Sequence, residues 1–160
     1  MPAPRKRRSL RGLVVLGLVT GAALLFSAPA SAAVMTTTVT PSQVTFNHSF
    51  RIKVAGIGNP DDESQRVLAW TQPRTPTCKS TYLANYIAIG RKSPKIAEDV
   101  GIDPFSITAG PFRANVLGKR RVCAYLYSVD THATLLVSTA TYRVVLPLCH
   151  RRGQRNCRHH

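Results

Sequence analysis

The chain has 160 residues, of which 22 are Lys or Arg and only 7 are Asp or Glu, so its formal net charge at pH 7 is +15. This length suits one domain. The sequence has neither internal repeats nor a long apolar stretch beyond its first 32 residues, which excludes a repeat array and a protein with several membrane spans.

Residues 1–32 have the three parts of a secretory signal peptide. Their cationic start contains Arg5, Lys6, Arg7, Arg8 and Arg11. An apolar stretch follows over residues 12–26, and the small residues Ala30-Ser31-Ala32 provide a signal-peptidase site. We expect this segment to form a signal helix that directs export and is then cleaved. The alternative is an uncleaved signal anchor, although the apolar stretch is shorter than the ~20 residues that span a bilayer.

Cleavage after Ala32 leaves a domain over residues 33–147 and a tail over residues 148–160. This exported part keeps 17 basic and 7 acidic side chains, a formal charge of +10, and four of its arginines lie in the tail. Its four cysteines are Cys78, Cys123, Cys149 and Cys157. An even number of cysteines in an oxidising compartment predicts disulfides rather than free thiols or a metal site.

The first part of the domain predicts short β-strands separated by turns. Residues 34–39 are rich in β-branched side chains and are followed by Pro41. Apolar and polar residues alternate on both sides of Asn47-His48, which predicts a hairpin or a tight corner between two strands. Residues 56–64 are turn-forming, and residues 67–71, with the single Trp70, are the next predicted strand.

A short helical insertion is predicted around residues 80–100. Aromatic and aliphatic residues recur at helical spacing over residues 82–87, and Gly90 follows as a C-terminal cap. Ser93-Pro94 has the form of a second helix start, with Ile96 and Val100 one turn apart. The sequence therefore predicts one or two short helices here.

Strand patterns resume at residues 105–109 and continue, after a predicted turn at Gly110-Pro111, over residues 112–117, 121–129 and 135–146. Residues 121–129 are apolar on both faces, which predicts a central strand that is covered on both sides. The helical insertion is the predicted second cover. About seven short strands at this spacing predict an antiparallel sandwich.

The export signal, the opening VTPSQVTFNHSFRIKVAG, the mid-chain cysteine and the late RRVCAYLYS resemble secreted bacterial immunoglobulin-like domains, most of all those of actinobacteria. The similarity covers roughly residues 36–146. It implies a mainly β, immunoglobulin-like Greek-key sandwich with a covalent tie into a central strand, and it implies no catalytic residue. The order of Trp70 before Cys78, and Arg121 in place of the usual tyrosine, depart from the antibody pattern.

Cys78 and Cys123 are the predicted disulfide within the domain, among three pairings open to four cysteines. Cys123 lies in the most apolar strand, and Cys78 lies at the start of the helical insertion. A bond between them would pin the insertion to the sandwich, whereas a bond from Cys123 to the tail would contradict this layout.

Two groups of polar side chains have the residue types of a functional site. Residues 61–63, Asp-Asp-Glu, carry the oxygen ligands that calcium prefers, but their spacing favours a solvated turn. His48, His132 and Asp130 are candidate hydrolase residues, although no nucleophile motif accompanies them. We therefore expect no enzyme activity, no cofactor and no metal.

Basic residues also cluster at Arg91-Lys92 and at residues 119–121, the second cluster in an expected solvated loop. Outside a cell, wall polymers, acidic lipids and shed nucleic acid would bind such charge in a salt-sensitive way. The alternative is that the charge only keeps the protein soluble.

The sequence thus indicates a secreted or cell-surface binding or structural module of unknown ligand, in contact with anionic envelope polymers. Nucleic acid is not expected as a specific partner, and membrane contact is expected only if the signal segment is retained. The alternative functions are the membrane-tethered form of the same domain and a secreted hydrolase.

The tail combines candidate zinc ligands with candidate anion contacts. The candidate anion-binding residues are Arg151, Arg152, Arg155 and Arg158. Cys149 and Cys157, with three tail histidines, supply atoms that zinc binds, but their spacing lacks the short knuckle of structural zinc sites. The oxidising compartment and the turn-forming residues between the cysteines favour a Cys149–Cys157 disulfide, which would present the arginines on a compact loop.

We predict that the exported protein, without reduction, contains no reactive thiol in the tail and no zinc. A thiol assay on the unreduced protein and metal analysis measure both quantities. Two reactive thiols in the tail, or one zinc per chain, would contradict the Cys149–Cys157 disulfide.

Overall fold

The computed structural model describes residues 33–147, so the signal segment and the tail, with Cys149, Cys157 and the four tail arginines, lie outside the described residues. Within this range the chain forms eight strands and one helix. These are β1 (Val34–Thr40), β2 (Gln43–Thr45), β3 (Ser49–Ile57), β4 (Gln65–Pro73), α1 (Tyr82–Ala88), β5 (Ile96–Val100), β6 (Pro104–Arg113), β7 (Gly118–Ser128) and β8 (Thr134–Val145).

The strands form two sheets, with the orders β1-β3-β6 and β2-β8-β7-β4-β5. Apolar side chains of both sheets meet in one core, to which Ile52 and Val54 contribute from β3 and Val67, Val122 and Leu126 from the larger sheet. The predicted mainly β sandwich is therefore present. Its pairs are antiparallel except that β2 lies parallel to β8, so the larger sheet is mixed.

The predicted corner at Asn47-His48 joins the two sheets. Strand β2 pairs with β8, whereas β3 pairs with β1 and β6, so the two strands do not form a hairpin. Asn47 has a φ of 66°, in the left-handed region that asparagine tolerates better than most residues. The chain thus changes sheets within three residues.

The second predicted helix is wrong, because Ile96–Val100 forms strand β5 at the edge of the larger sheet. A spacing of four residues fits one helical turn and also two strand repeats, so Ile96 and Val100 could not separate the two structures. The pairing of β5 with β4 decides the matter, since it buries Ile96 in the core.

The predicted turn at Gly110-Pro111 is also wrong, because β6 continues through it as a bulged strand. Both residues lie opposite Arg51, between the pairs Phe50–Phe112 and Ile52–Ala109. Gly110 has a φ of 117°, and a Cβ there would lie 2.9 Å from the carbonyl oxygen of Phe50. Proline is tolerated because β6 is an edge strand and the bulge interrupts the ladder.

Strand β7 is central, as predicted, and its residues from Val122 to Ser128 are buried. One face points into the core between the sheets. On the other face, Cys123 and Tyr125 pack with Trp70 of β4 beneath α1 and its flanking segments. The helical insertion is therefore the second cover of this strand.

A disulfide and several hydrogen bonds join the insertion to the sheet. Cys78 and Cys123 form the predicted disulfide, with their Cα atoms 5.7 Å apart. The Tyr125 hydroxyl donates to the Lys79 carbonyl at 2.9 Å, and the Trp70 indole donates to the Lys92 carbonyl at 2.8 Å. The Trp70 and Tyr125 rings meet edge to face, with centroids 5.9 Å apart.

Helix α1 is short, with Thr81 as its N-cap, whose hydroxyl accepts from the Ala84 amide at 3.2 Å. Its outer face exposes Leu83 and Ile87. Among residues 33–147, no helix has the length and apolar character needed to span a membrane.

We predict that replacing Cys78 and Cys123 together by alanine lowers the free energy of unfolding by roughly 3–4 kcal/mol, because the disulfide constrains a long loop in the unfolded chain. The two residues are 45 positions apart. Urea unfolding followed by tryptophan fluorescence measures the change. A loss below about 1 kcal/mol would contradict a structural role for this bond.

A second prediction concerns pH. Burial raises the pKa of Tyr125 to about 12, whereas a tyrosine in the unfolded chain titrates near pH 10. The unfolded chain therefore loses this proton first, so the free energy of unfolding is fully retained below about pH 10 and falls as the pH rises to about 12. We expect Tyr125→Phe to reduce this fall, as measured by urea unfolding between pH 8 and pH 12. Equal pH dependence in the two proteins would contradict the assignment.

Candidate anion-binding surface

The carboxylates of the domain collect at one of its ends, and a group of its cations lies at the other. All 7 acidic residues fall within the described range, and the strand pairing places them where β3, β5 and β7 end and β4, β6 and β8 begin. We call this end the acidic pole. It comprises Asp61, Asp62, Glu63, Glu98, Asp99, Asp103 and Asp130.

The opposite end, where β4, β6 and β8 end and β3 and β7 begin, is the basic pole. Its cations are Arg51, Arg74, Arg113, Lys119, Arg120, Arg121 and Arg143. The cluster at residues 119–121 is not the predicted solvated loop, because it belongs to β7 and pairs with the neighbouring strands. Pairing with β8, and for Arg120 and Arg121 also with β4, fixes the backbone positions of these residues.

The two poles act as separate charges. The 11 residues of β7 span about 33 Å at roughly 3 Å per residue. Exposed charges are largely screened beyond about 10 Å at 0.1 M salt. The carboxylates therefore do not cancel the field at the basic pole.

A basic groove lies on the outer side of this pole, with a volume of about 320 Å³. Its lining residues are Ser42, Arg74, Lys119, Thr141, Tyr142 and Arg143. The register sets Lys119 directly opposite Arg143, and the Arg74 amide donates to the Lys119 carbonyl at 3.3 Å. The Arg143 amide donates to the Ser42 carbonyl at 2.9 Å, which places the β1–β2 connection at the rim.

An end cavity of about 40 Å³ lies beside the groove, at the mouth of the space between the sheets. It is lined by Phe50, Thr71, Arg113, Ala114, Asn115, Val116, Arg120, Tyr142 and Val144. Burial raises the pKa of the Tyr142 hydroxyl, while hydrogen bonds with Arg120 and Thr71 partly oppose that rise. The half-buried Arg120 guanidinium carries five N–H donors, so it retains donors beyond the bond to Tyr142.

No carboxylate of the described residues lines the basic groove or the end cavity. Among residues 33–147, Arg66 and Asp99 form the sole ion pair, and it lies at the acidic pole with a second contact of 2.9 Å. The hydrogen bond from Arg66 lowers the pKa of Asp99. The cations of the basic pole are thus available to an external anion.

The candidate hydrolase residues are not brought together. His48 lies at the basic pole, where its carbonyl accepts from the Ala114 amide at 2.9 Å. His132 and Asp130 lie in the β7–β8 connection at the acidic pole. The constellation considered from the sequence therefore does not exist as one site.

The acidic residues 61–63 form part of a hydrogen-bonded turn. A carboxylate oxygen of Asp62 accepts from the Ser64 amide at 3.0 Å, and the Asn59 side chain accepts from the Asp61 amide at 3.4 Å. Across residues 33–147, no three His, Cys, Asp or Glu side chains converge in a metal-binding arrangement.

Sequence reasoning did not single out Arg74 or Arg143 as binding residues. Arg74 lies in a proline-rich stretch, and Arg143 lies on the polar face of the last predicted strand. Neither signal shows that the two residues share a groove, because that depends on the pairing of β4, β7 and β8. The predicted tail arginines lie outside the described residues, beyond the end of β8.

Comparison with known proteins gives distant structural likeness only. No protein family and no curated protein matches the sequence. A CARDB domain from Pyrococcus furiosus, solved in complex with di-metal ions, matches with a TM-score of 0.47 and 15% identity over 72% of this chain and 94% of that chain.

Two enzymes match over smaller parts of their own chains. The alkylpurine DNA glycosylase AlkC of Pseudomonas fluorescens, bound to DNA with an abasic site analogue, has a TM-score of 0.39 and 13% identity over 71% of this chain and 30% of that chain. A β-glucosidase from Listeria innocua has a TM-score of 0.41 and 14% identity over 70% of this chain and 16% of that chain.

Proposed function

We propose that the protein is a secreted, immunoglobulin-like binding module that attaches to anionic components of the cell envelope through its basic pole. The observation that carries this proposal is the separation of charge. Every carboxylate of the described residues lies at the acidic pole, and the basic groove and the end cavity contain cations without a carboxylate partner.

The strand order supports the immunoglobulin-like part of the proposal. In such sandwiches a sheet containing strands A, B and E faces a sheet containing C, F and G. Strands β1, β3 and β6 have the first arrangement, and β4, β7 and β8 have the second, with β5 added at its edge. The chain crosses between the sheets from β3 to β4 and again from β6 to β7, as a Greek-key path requires.

Electrostatics support a polyanion over a single small anion as the partner. The cations of the basic pole extend from the groove to the end cavity, and the four tail arginines follow β8, which ends at this pole. A chain of negative charges can contact several of these cations at once. Each contact releases a counterion, so affinity should fall steeply with salt.

We predict that Lys119→Gln/Arg143→Gln weakens binding to long-chain polyphosphate and lowers the slope of log K against log salt by about two, one for each lost contact. Fluorescence anisotropy of the labelled polymer between 50 and 300 mM salt measures both quantities. The matched control is Lys53→Gln/Lys79→Gln, because it removes the same charge from exposed residues outside the groove.

Equal effects of the groove and control variants would show that only net charge matters and would overturn the proposed site. Salt-independent binding would overturn the proposed mechanism. A third variant, with Arg151, Arg152, Arg155 and Arg158 changed to glutamine, measures the contribution of the tail on the same scale.

A further inference from the structure

Two exposed aliphatic side chains stand in the middle of the basic pole. Val116 and Leu117 lie in the β6–β7 connection and are 48% and 46% exposed. Their neighbours are cationic, with Arg113 before them and Lys119 after them. An anionic polymer in water offers nothing for these aliphatic groups to contact, so polymer binding does not account for them.

Two backbone hydrogen bonds hold the start of the β6–β7 connection in place. The Ala114 carbonyl accepts from the Asn47 amide at 2.7 Å, and the Ala114 amide donates to the His48 carbonyl at 2.9 Å. Ala114 is buried, whereas residues 115–117 are exposed. We call residues 114–117 the aliphatic loop.

The loop and the end cavity are parts of one surface. Val116 and Asn115 line the cavity together with Arg113 and Arg120. A cavity of about 40 Å³ is larger than the roughly 10–15 Å³ that one water requires, so it has room for a polar group larger than one water. An aliphatic group therefore stands at the rim of a cationic pocket.

We propose that the aliphatic loop inserts into an anionic lipid surface, with Val116 and Leu117 among the acyl chains and Arg113 and Arg120 on a lipid phosphate. This rests on the proposed function, in which the basic pole attaches to anionic envelope components, and assigns an anionic lipid to the end cavity and the aliphatic loop. Apolar side chains gain free energy on leaving water, and cations beside an anionic bilayer add electrostatic attraction, so both features of the surface are satisfied by one partner.

The test uses the full chain with a tryptophan placed in the loop, Leu117→Trp. Trp70 is buried and supplies the same background in each variant. The control is Leu83→Trp, at a residue that is 54% exposed on α1 and lies outside the basic pole. Because the reporter senses its own surroundings, attachment through another segment of the chain does not produce the signal.

With phosphatidylglycerol vesicles, the emission of Leu117→Trp should shift to the blue and should be quenched when the acyl chains carry bromine. Leu83→Trp should show neither change. Phosphatidylcholine vesicles, whose lipids carry no net charge, should leave both proteins unchanged, which shows that the negative charge of the lipid is needed. Inorganic phosphate alone should also leave both unchanged, which separates a lipid phosphate from a free one.

In co-sedimentation with the same vesicles, Val116→Ser/Leu117→Ser should weaken binding by about tenfold or more, since the aliphatic surface no longer leaves water. Arg113→Gln should weaken it by about fivefold, the usual effect of one cation beside an anionic bilayer. Leu83→Ser/Ile87→Ser is the control and should bind like the unchanged protein, with circular dichroism to verify that all variants fold.

An unshifted, unquenched Leu117→Trp, or equal quenching of Leu83→Trp, would overturn the inference. If the loop variants keep full vesicle binding, it also fails. In either case, unchanged polyphosphate binding by the loop variants and weakened binding by Lys119→Gln/Arg143→Gln would leave the proposed function intact. If Lys119→Gln/Arg143→Gln also bound polyphosphate like the unchanged protein, the further inference and the proposed function would both be overturned.

Discussion

The burial of β7 on both faces is the constraint on which the rest of the domain depends. A strand with apolar side chains on both sides needs two covers, since either face left in water would expose a continuous apolar strip. The smaller sheet covers one face, and the segment around α1 covers the other. The Cys78–Cys123 disulfide and the Tyr125 and Trp70 hydrogen bonds hold that second cover in place.

The same strand organises the basic pole. It carries Lys119, Arg120 and Arg121 at its start, and its pairing with β8 sets Lys119 opposite Arg143. Alternation along the strand sends Lys119 towards the outer groove and Arg120 towards the end cavity. One rigid strand therefore supplies cations to both sites, which preserves their spacing without help from neighbouring carboxylates.

The groove, the end cavity and the aliphatic loop differ in the partner that they suit. The groove is open and carries the cations Arg74, Lys119 and Arg143, as expected for contact with a flexible chain of negative charges. The cavity and the loop combine a cationic pocket with exposed aliphatic groups, which suits an amphiphile. Membrane contact was expected from the sequence only through a retained signal segment, whereas the loop would provide such contact at the opposite end of the domain from Val34, the first residue of β1.

The sequence by itself determined the features that depend on local pattern. Period-two alternation identified strands such as β3 and β8, apolar residues on both faces identified the doubly buried β7, and helical spacing identified α1. The place of Cys123 in the most apolar strand and of Cys78 at the start of the helical insertion indicated their disulfide. These features follow from which face each side chain takes, and neighbouring residues largely decide that face.

Only the tertiary structure decided the features that depend on distant partners. The spacing of Ile96 and Val100 fits a helix and a strand equally well, and the pairing of β5 with β4 decides for the strand. Gly110-Pro111 has the sequence of a turn, but pairing with β3 on both sides keeps it within β6. The sequence of residues 119–121 predicts a loop, but pairing with the neighbouring strands makes them part of β7. The basic groove has the same origin, because Arg74, Lys119 and Arg143 meet only through hydrogen-bond registers between strands far apart in the chain, which local periodicity does not encode.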